Sequence, residues 1–217
     1  MYVNLHTHRF TGDPEIFEVV NQYPRETDDR IAGYSIGIHP WHIDVDHIES
    51  DLQIIAGKRN DFNCLAIGEC GLDKRIQTAI ELQSEVFEAQ LELAQSAKKP
   101  VIIHCVAAFQ ELVEIKKRLQ ISVPMIVHGF SKNAQVARQL LDHGFYLSFG
   151  KYLLRNPELG SVLQTVPDDR VFLETDTVEE SIAEVYALAA NYKRMTVARL
   201  ERQINANFKH VFKRSLR

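Results

Sequence analysis

The chain has 217 residues, 45% of them hydrophobic and 25% charged, which suits one folded domain, 1–217, with a sizeable core and excludes a disordered or disulfide-stapled chain. A net charge of −4 gives no general attraction to nucleic acid, whose backbone is met by clustered basic surface. The cysteines Cys64, Cys70 and Cys105 form no Cys-x-x-Cys pair, and an odd count argues for a reducing compartment.

No run approaches the roughly 18 apolar residues of a membrane span, and the first residues lack a basic segment followed by an apolar stretch. The expectation is a cytoplasmic protein without membrane contact, and no obligate protein partner is implied. Lys193, Arg194, Arg199, Arg202, Lys209, Lys213, Arg214 and Arg217 crowd the end against Glu201 alone. Such a run reads as the solvated face of a last helix, with Lys193 and Arg194 placed to reach a substrate.

In chain order, short apolar or β-branched runs recur at Tyr2–Leu5, Ile16–Val20, Tyr34–Ile38, Leu65–Ile67, Val101–Ile103, Met125–Val127, Phe145–Phe149 and Val171–Leu173, so about eight strands are expected. From residue 47 onward they are separated by stretches of helical periodicity, with Leu82, Val86, Ala89, Leu93 and Ala97 on one stripe. Alternating strands and helices imply a parallel sheet, and this number of units implies an α/β protein of the (β/α)8 TIM-like barrel type. Pro100 and Pro124 stand at strand starts, and Gly144 is placed to end the helix that follows Lys132. Only Arg9–Glu15 separates the first two runs, too short for a crossover helix. Either the first helix is missing or the second strand is antiparallel. Segments 9–15 and 22–32 read as irregular loops.

Side chains alternate along a strand, so His6 and His8 in Asn-Leu-His-Thr-His point the same way at the end of the first strand, where two imidazoles can grip one metal. Four further ionisable residues end or closely follow an apolar run: Glu69, His104, His128 and Asp176. In a parallel barrel the C-terminal strand ends share the mouth that carries catalytic groups. Imidazole and carboxylate together suit zinc, manganese or a similar divalent ion, whereas calcium would want more oxygen ligands. Cys70 and Cys105 adjoin proposed ligands but point away from them as small core residues. His42 and His47 read as surface.

The pieces His6-Thr-His8, Gly37-Ile-His39-Pro40, Gly68-Glu69-Cys70-Gly71-Leu72-Asp73, Ile103-His104-Cys105, Val127-His128-Gly129-Phe130 and Glu174-Thr175-Asp176 resemble, in this order, the TatD family of metal-dependent deoxyribonucleases within the amidohydrolase-like barrels. The resemblance runs from the first strand to Asn207 and Phe212. It implies one or two divalent ions (Zn, Mg or Mn): His6 and His8 on one ion, His104 and His128 on the other, Glu69 bridging, Asp176 beside the nucleophilic water, and His39 as a substrate contact. A metal lowers the pKa of bound water to about 7, and Asp176 can orient or deprotonate that water.

The chain departs from the family at three places. Asn4 stands where an Asp usually precedes the His pair, which weakens the support expected for the ligands. Val106 stands two positions after His104, where an Arg usually offers a phosphate-facing fork. After Asp176 the usual Ala-Pro and long loop give way to Thr177 and, almost directly, a helix. Three functions compete: hydrolysis of DNA phosphodiesters by metal-activated water, hydrolysis of a small ester or amide, and a non-catalytic metal-stabilised interaction module.

Overall fold

The computed structural model describes residues 1–216; Arg217, last of the basic run, lies outside the described residues. Every expected apolar run is a strand: β1 Tyr2–Thr7, β2 Ile16–Gln22, β3 Tyr34–Ile36, β4 Cys64–Asp73, β5 Val101–Val106, β6 Met125–Val127, β7 Tyr146–Phe149 and β8 Val171–Leu173. The helices are α1 Ile48–Lys58, α2 Ile80–Ala97, α3 Phe109–Arg118, α4 Ala134–Asp142, α5 Lys151–Arg155, α6 Glu158–Thr165, α7 Ile182–Tyr192 and α8 Val197–Phe212. The strands follow one another in chain order in one sheet, and Thr7 at the end of β1 pairs in parallel with Asp176 just after β8. A chain-ordered parallel sheet whose first and last strands meet is a (β/α) barrel.

Two compact units divide the chain: Met1–Val20 with Val127–Arg217, and Asn21–Ile126. In the first, β2 runs parallel to β1, Tyr2 opposite Ile16, so of the two alternatives the missing helix holds. The loop between them is tied down locally instead. The Glu18 carboxylate accepts the Thr11 N–H at 3.0 Å and the Gly12 N–H at 3.4 Å, satisfying donors that a helix would have paired. α8 supplies the cover the absent helix would have given. Phe208 meets Phe17 of β2 at 5.1 Å between ring centroids and stacks on Phe212 at 4.3 Å.

Tyr186 on α7 is wholly buried, and its hydroxyl accepts from the Val3 N–H (3.2 Å) and donates to the Val3 carbonyl (3.1 Å). Tyr186→Phe strands both groups in an apolar setting, so it should destabilise the fold by about 1–3 kcal/mol, read as a lower urea midpoint at unchanged m-value. An unchanged midpoint would mean that water reaches Val3.

In the second unit α2 packs on β4, but the buried face of α2 is Gln83, Val86, Phe87, Gln90, Leu91 and Ala94, which corrects the expected stripe. Leu82, Ala89, Leu93 and Ala97 are half-buried. Two glutamines concealed the true face, because each serves backbone groups at a strand end. Gln83 accepts the Asp73 N–H (2.7 Å) and donates to the Asp73 carbonyl (3.0 Å), while Gln90 does the same for Ile38 at 2.7 and 3.2 Å. Buried amides with both ends satisfied contribute to a core instead of weakening it.

Candidate active site

Two backbone hydrogen bonds assemble the first cluster. The Asp176 N–H donates to the His6 carbonyl at 3.0 Å and the Asp176 carbonyl accepts from the His8 N–H at 3.1 Å, so His6, His8 and Asp176 present their side chains on one face. Asp176 Oδ1 lies 4.0 Å from His6 Nε2 and 3.7 Å from His8 Nε2. Ligands about 2.0–2.2 Å from a tetrahedral ion sit roughly 3.3 Å from one another, so a small contraction would close this nitrogen, nitrogen and oxygen set on a divalent cation. His6 is fully buried, whereas the His8 side chain is 27% exposed, which leaves the set open on one side. Asp176 holds a left-handed backbone, φ 55°, a conformation Asp tolerates better than most residues and one that recurs at functional sites.

His128, at the end of β6, has its ring 4.3 Å from that of His6. Its Nδ1 is 3.3 Å from Glu174 Oε1, which also accepts the Gly129 N–H at 2.7 Å. A carboxylate on one imidazole nitrogen aims the other at a metal. Burial alone would raise the Glu174 pKa, but the charge and hydrogen bond of His128, with His6 and Ser148 beyond, hold it below the ordinary glutamate value. Asn4 uses both ends of its amide, donating to Thr175 Oγ1 (2.8 Å) and accepting the Thr175 N–H (3.0 Å). An Asp could not make the first of these bonds as an ionised group. The buried pairing fixes the segment that carries Glu174 and Asp176.

The second unit gathers Glu69, His104 and His39. Glu69 Oε1 is 3.0 Å from His104 Nδ1 and 3.1 Å from His39 Nε2. His39 Nδ1 accepts the Trp41 N–H at 3.1 Å, so in a neutral ring the proton is on Nε2 and is donated to Glu69. His39 therefore orients Glu69. His104 Nε2 faces Asp73 Oδ2 at 3.4 Å, the carboxylate partner that sets a ligand imidazole. Burial would raise the Asp73 pKa; the Trp41 indole N–H, the Arg75 N–H and His104 outweigh it, so Asp73 stays ionised below its usual range.

The glycines around Glu69 are dictated by neighbouring backbone. At Gly71, φ 145°, a Cβ would sit 2.0 Å from the His104 carbonyl oxygen, and at Gly68, φ 139°, 2.3 Å from that of Ile102. Both let β4 press against β5 where Glu69 and His104 must meet. Cys70 is buried, and burial pushes its thiol well above the usual cysteine value, in keeping with an inert core residue.

Asp73, Glu174 and Lys151 carry roles that reading by residue type did not assign. Asp73 and Glu174 belong to quoted motifs, but their partners lie 31 and 46 residues away. Lys151 follows β7, and its Nζ is 3.8 Å from Asp176 Oδ2. Lys193 corrects the expectation that it faces a substrate: its Nζ pairs with Asp168 at 2.8 Å and donates to the Val166 carbonyl. Both partners precede β8, at the end of that strand opposite Asp176. His42 and His47 are exposed as expected.

The barrel and the imidazole–carboxylate clusters at its strand ends, which offer ligand atoms suited to a divalent ion, place the chain in the amidohydrolase-like class of barrels. Residues 3–213 match the model of the TatD-related DNases, and the chain belongs to that family. It is 33% identical over 153 residues to a metal-dependent hydrolase of Haemophilus influenzae, an alignment covering 66% of this chain and 58% of the relative. A 3'-5' ssDNA/RNA exonuclease TatD of Cronobacter sakazakii is 32% identical over 64% of this chain and 55% of its own. The match thus spans under two thirds of these relatives' length. Among solved structures, a TatD homologue of Escherichia coli superposes with a TM-score of 0.84 at 21% identity, over 98% of both chains, which shows the TIM-like fold.

Proposed function

We propose that this protein hydrolyses phosphodiester bonds in DNA with one or two divalent ions, for which His6, His8, His128 and Asp176 are the candidate ligands in one unit and Glu69 and His104 those in the other. The observation that carries the reading is the backbone-enforced convergence of His6, His8 and Asp176, with the Lys151 ammonium beside the carboxylate. A bound divalent ion would lower the pKa of water and neutralise phosphoryl charge. Asp176 would orient and deprotonate the attacking water, Lys151 would face the anionic oxygens that Val106 cannot, and His39 would hold Glu69 in place. The donor set suits zinc, manganese or magnesium.

A second reading, hydrolysis of a small ester or amide, draws support from the cavity beside Thr177. It is about 560 Å³ in volume and lined by Arg155, Thr177, Val178, Glu179, Glu180 and Glu184. Three carboxylates against one guanidinium repel a polyanion, so a nucleic acid would have to leave on another side.

Metal analysis of the purified protein, followed by assays on bis(p-nitrophenyl) phosphate, single-stranded DNA and a panel of neutral esters, separates the readings. EDTA should abolish phosphodiester cleavage, added Mn²⁺, Mg²⁺ or Zn²⁺ should restore it, and the thermal midpoint should rise with the ion. Turnover of esters alone would transfer the assignment to the second reading. A metal-bound but inactive protein would leave only the non-catalytic, metal-stabilised module, and a metal-free protein would count against the site itself.

A further inference from the structure

We propose that Trp41 is the platform on which an unpaired nucleobase of the substrate stacks, a specificity contact that rests on the phosphodiesterase reading. It is the single tryptophan of the chain and is 61% exposed, unusual for the largest apolar side chain. Exposure here is not looseness. The indole N–H donates to Asp73 Oδ2 at 2.8 Å, and the backbone N–H donates to His39 Nδ1 in the short turn Pro40–His42. The ring stands 5.1 Å from His39 at 86° and 5.7 Å from His104 at 73°.

A large aromatic surface held rigid at both ends while open to solvent is preorganised for another flat ring, because little freedom remains to be lost on contact. Its anchor, Asp73, is the carboxylate that also faces His104, so whatever lies on the indole lies beside the Glu69 and His104 pair. That places the occupant within the substrate and favours a base over the sugar–phosphate chain, since stacking accepts every base while requiring it to be unpaired. The net charge of −4 argues the same way: it gives a polyanion no general attraction, so an aromatic contact adds grip that overall charge does not.

Because tryptophan emission can come from Trp41 alone, the protein reports on its own site. Metal-loaded protein should be titrated with deoxyadenosine 5′-monophosphate and with deoxyribose 5-phosphate, the same anion without a base. The nucleotide should quench the emission and bind about tenfold more tightly or better, whereas the sugar phosphate should leave the emission nearly unchanged. By calorimetry, Trp41→Leu should lose the preference and Trp41→Phe should keep most of it, with thermal midpoints and metal content checked for both. Equal binding of the two ligands, binding without quenching, a preference that survives Trp41→Leu, or no binding at all would overturn the proposal. Hydrolysis of bis(p-nitrophenyl) phosphate without a base preference removes this inference alone. A base preference without any phosphodiester turnover removes the parent reading.

Discussion

Asp176→Asn should lower phosphodiester turnover by between about a hundredfold and ten-thousandfold, the range for losing a positioned base, while leaving the circular dichroism spectrum unchanged. The choice of Asn matters. Asp176 sits at φ 55°, and Asn is as tolerant of that conformation as Asp, so backbone strain does not enter the comparison. The backbone bonds to His6 and His8 survive as well, since they use the N–H and carbonyl of residue 176. What disappears is one anionic oxygen close to both imidazoles. Metal content measured beside kcat distinguishes a lost ligand from a lost base: reduced metal with activity rescued by excess ion points to ligation, full metal with low kcat to proton transfer. Undiminished turnover would remove Asp176 from the chemistry altogether.

The largest expected effect on stability is at Gly71. Gly71→Ala puts a methyl 2.0 Å from a backbone oxygen at φ 145°, a region essentially confined to glycine, with no flexible side chain to give way. Overpacking and backbone strain together should cost about 4 kcal/mol or more, seen as a collapsed urea midpoint or insoluble protein. Gly57 is the control. It lies inside α1, where an added methyl would meet nothing within 4 Å, so Gly57→Ala should stabilise by about 0.5–1 kcal/mol. If both substitutions behave alike, the close approach of β4 to β5 at His104 is wrong.

The strands are legible in the sequence because burial on both faces leaves continuous apolar runs, and the candidate site because His6, His8, Glu69, His104, His128 and Asp176 stand at or just after the ends of such runs. The parallel course of β2 is not decidable there, since the short loop before it is compatible with either direction until its partners are known. The face of α2 is hidden for a related reason. Gln83 and Gln90 look like solvent residues by type, and only the strand ends they meet make them buried. Asp73 stands in plain sight within Gly-Glu-Cys-Gly-Leu-Asp, but its partners, Trp41 and His104, come from other elements. Residue type and spacing report what a chain segment can do locally; they do not report which distant group completes it. Lys193 misleads in the same way, because its charge looks available while Asp168 holds it.

The cover that α8 provides for β2 also sets an order of events during synthesis. Phe17 waits for Phe208, and the Val3 backbone waits for Tyr186 across 183 residues. A ribosome adding about 5–20 residues per second therefore leaves the first two strands unsealed for on the order of ten seconds or more. Throughout that interval their apolar surface is open to chaperones and to neighbouring nascent chains. Contacts so distant in sequence also slow folding once the chain is released. With no helix between β1 and β2, these two strands depend for their cover on α8, made long after them.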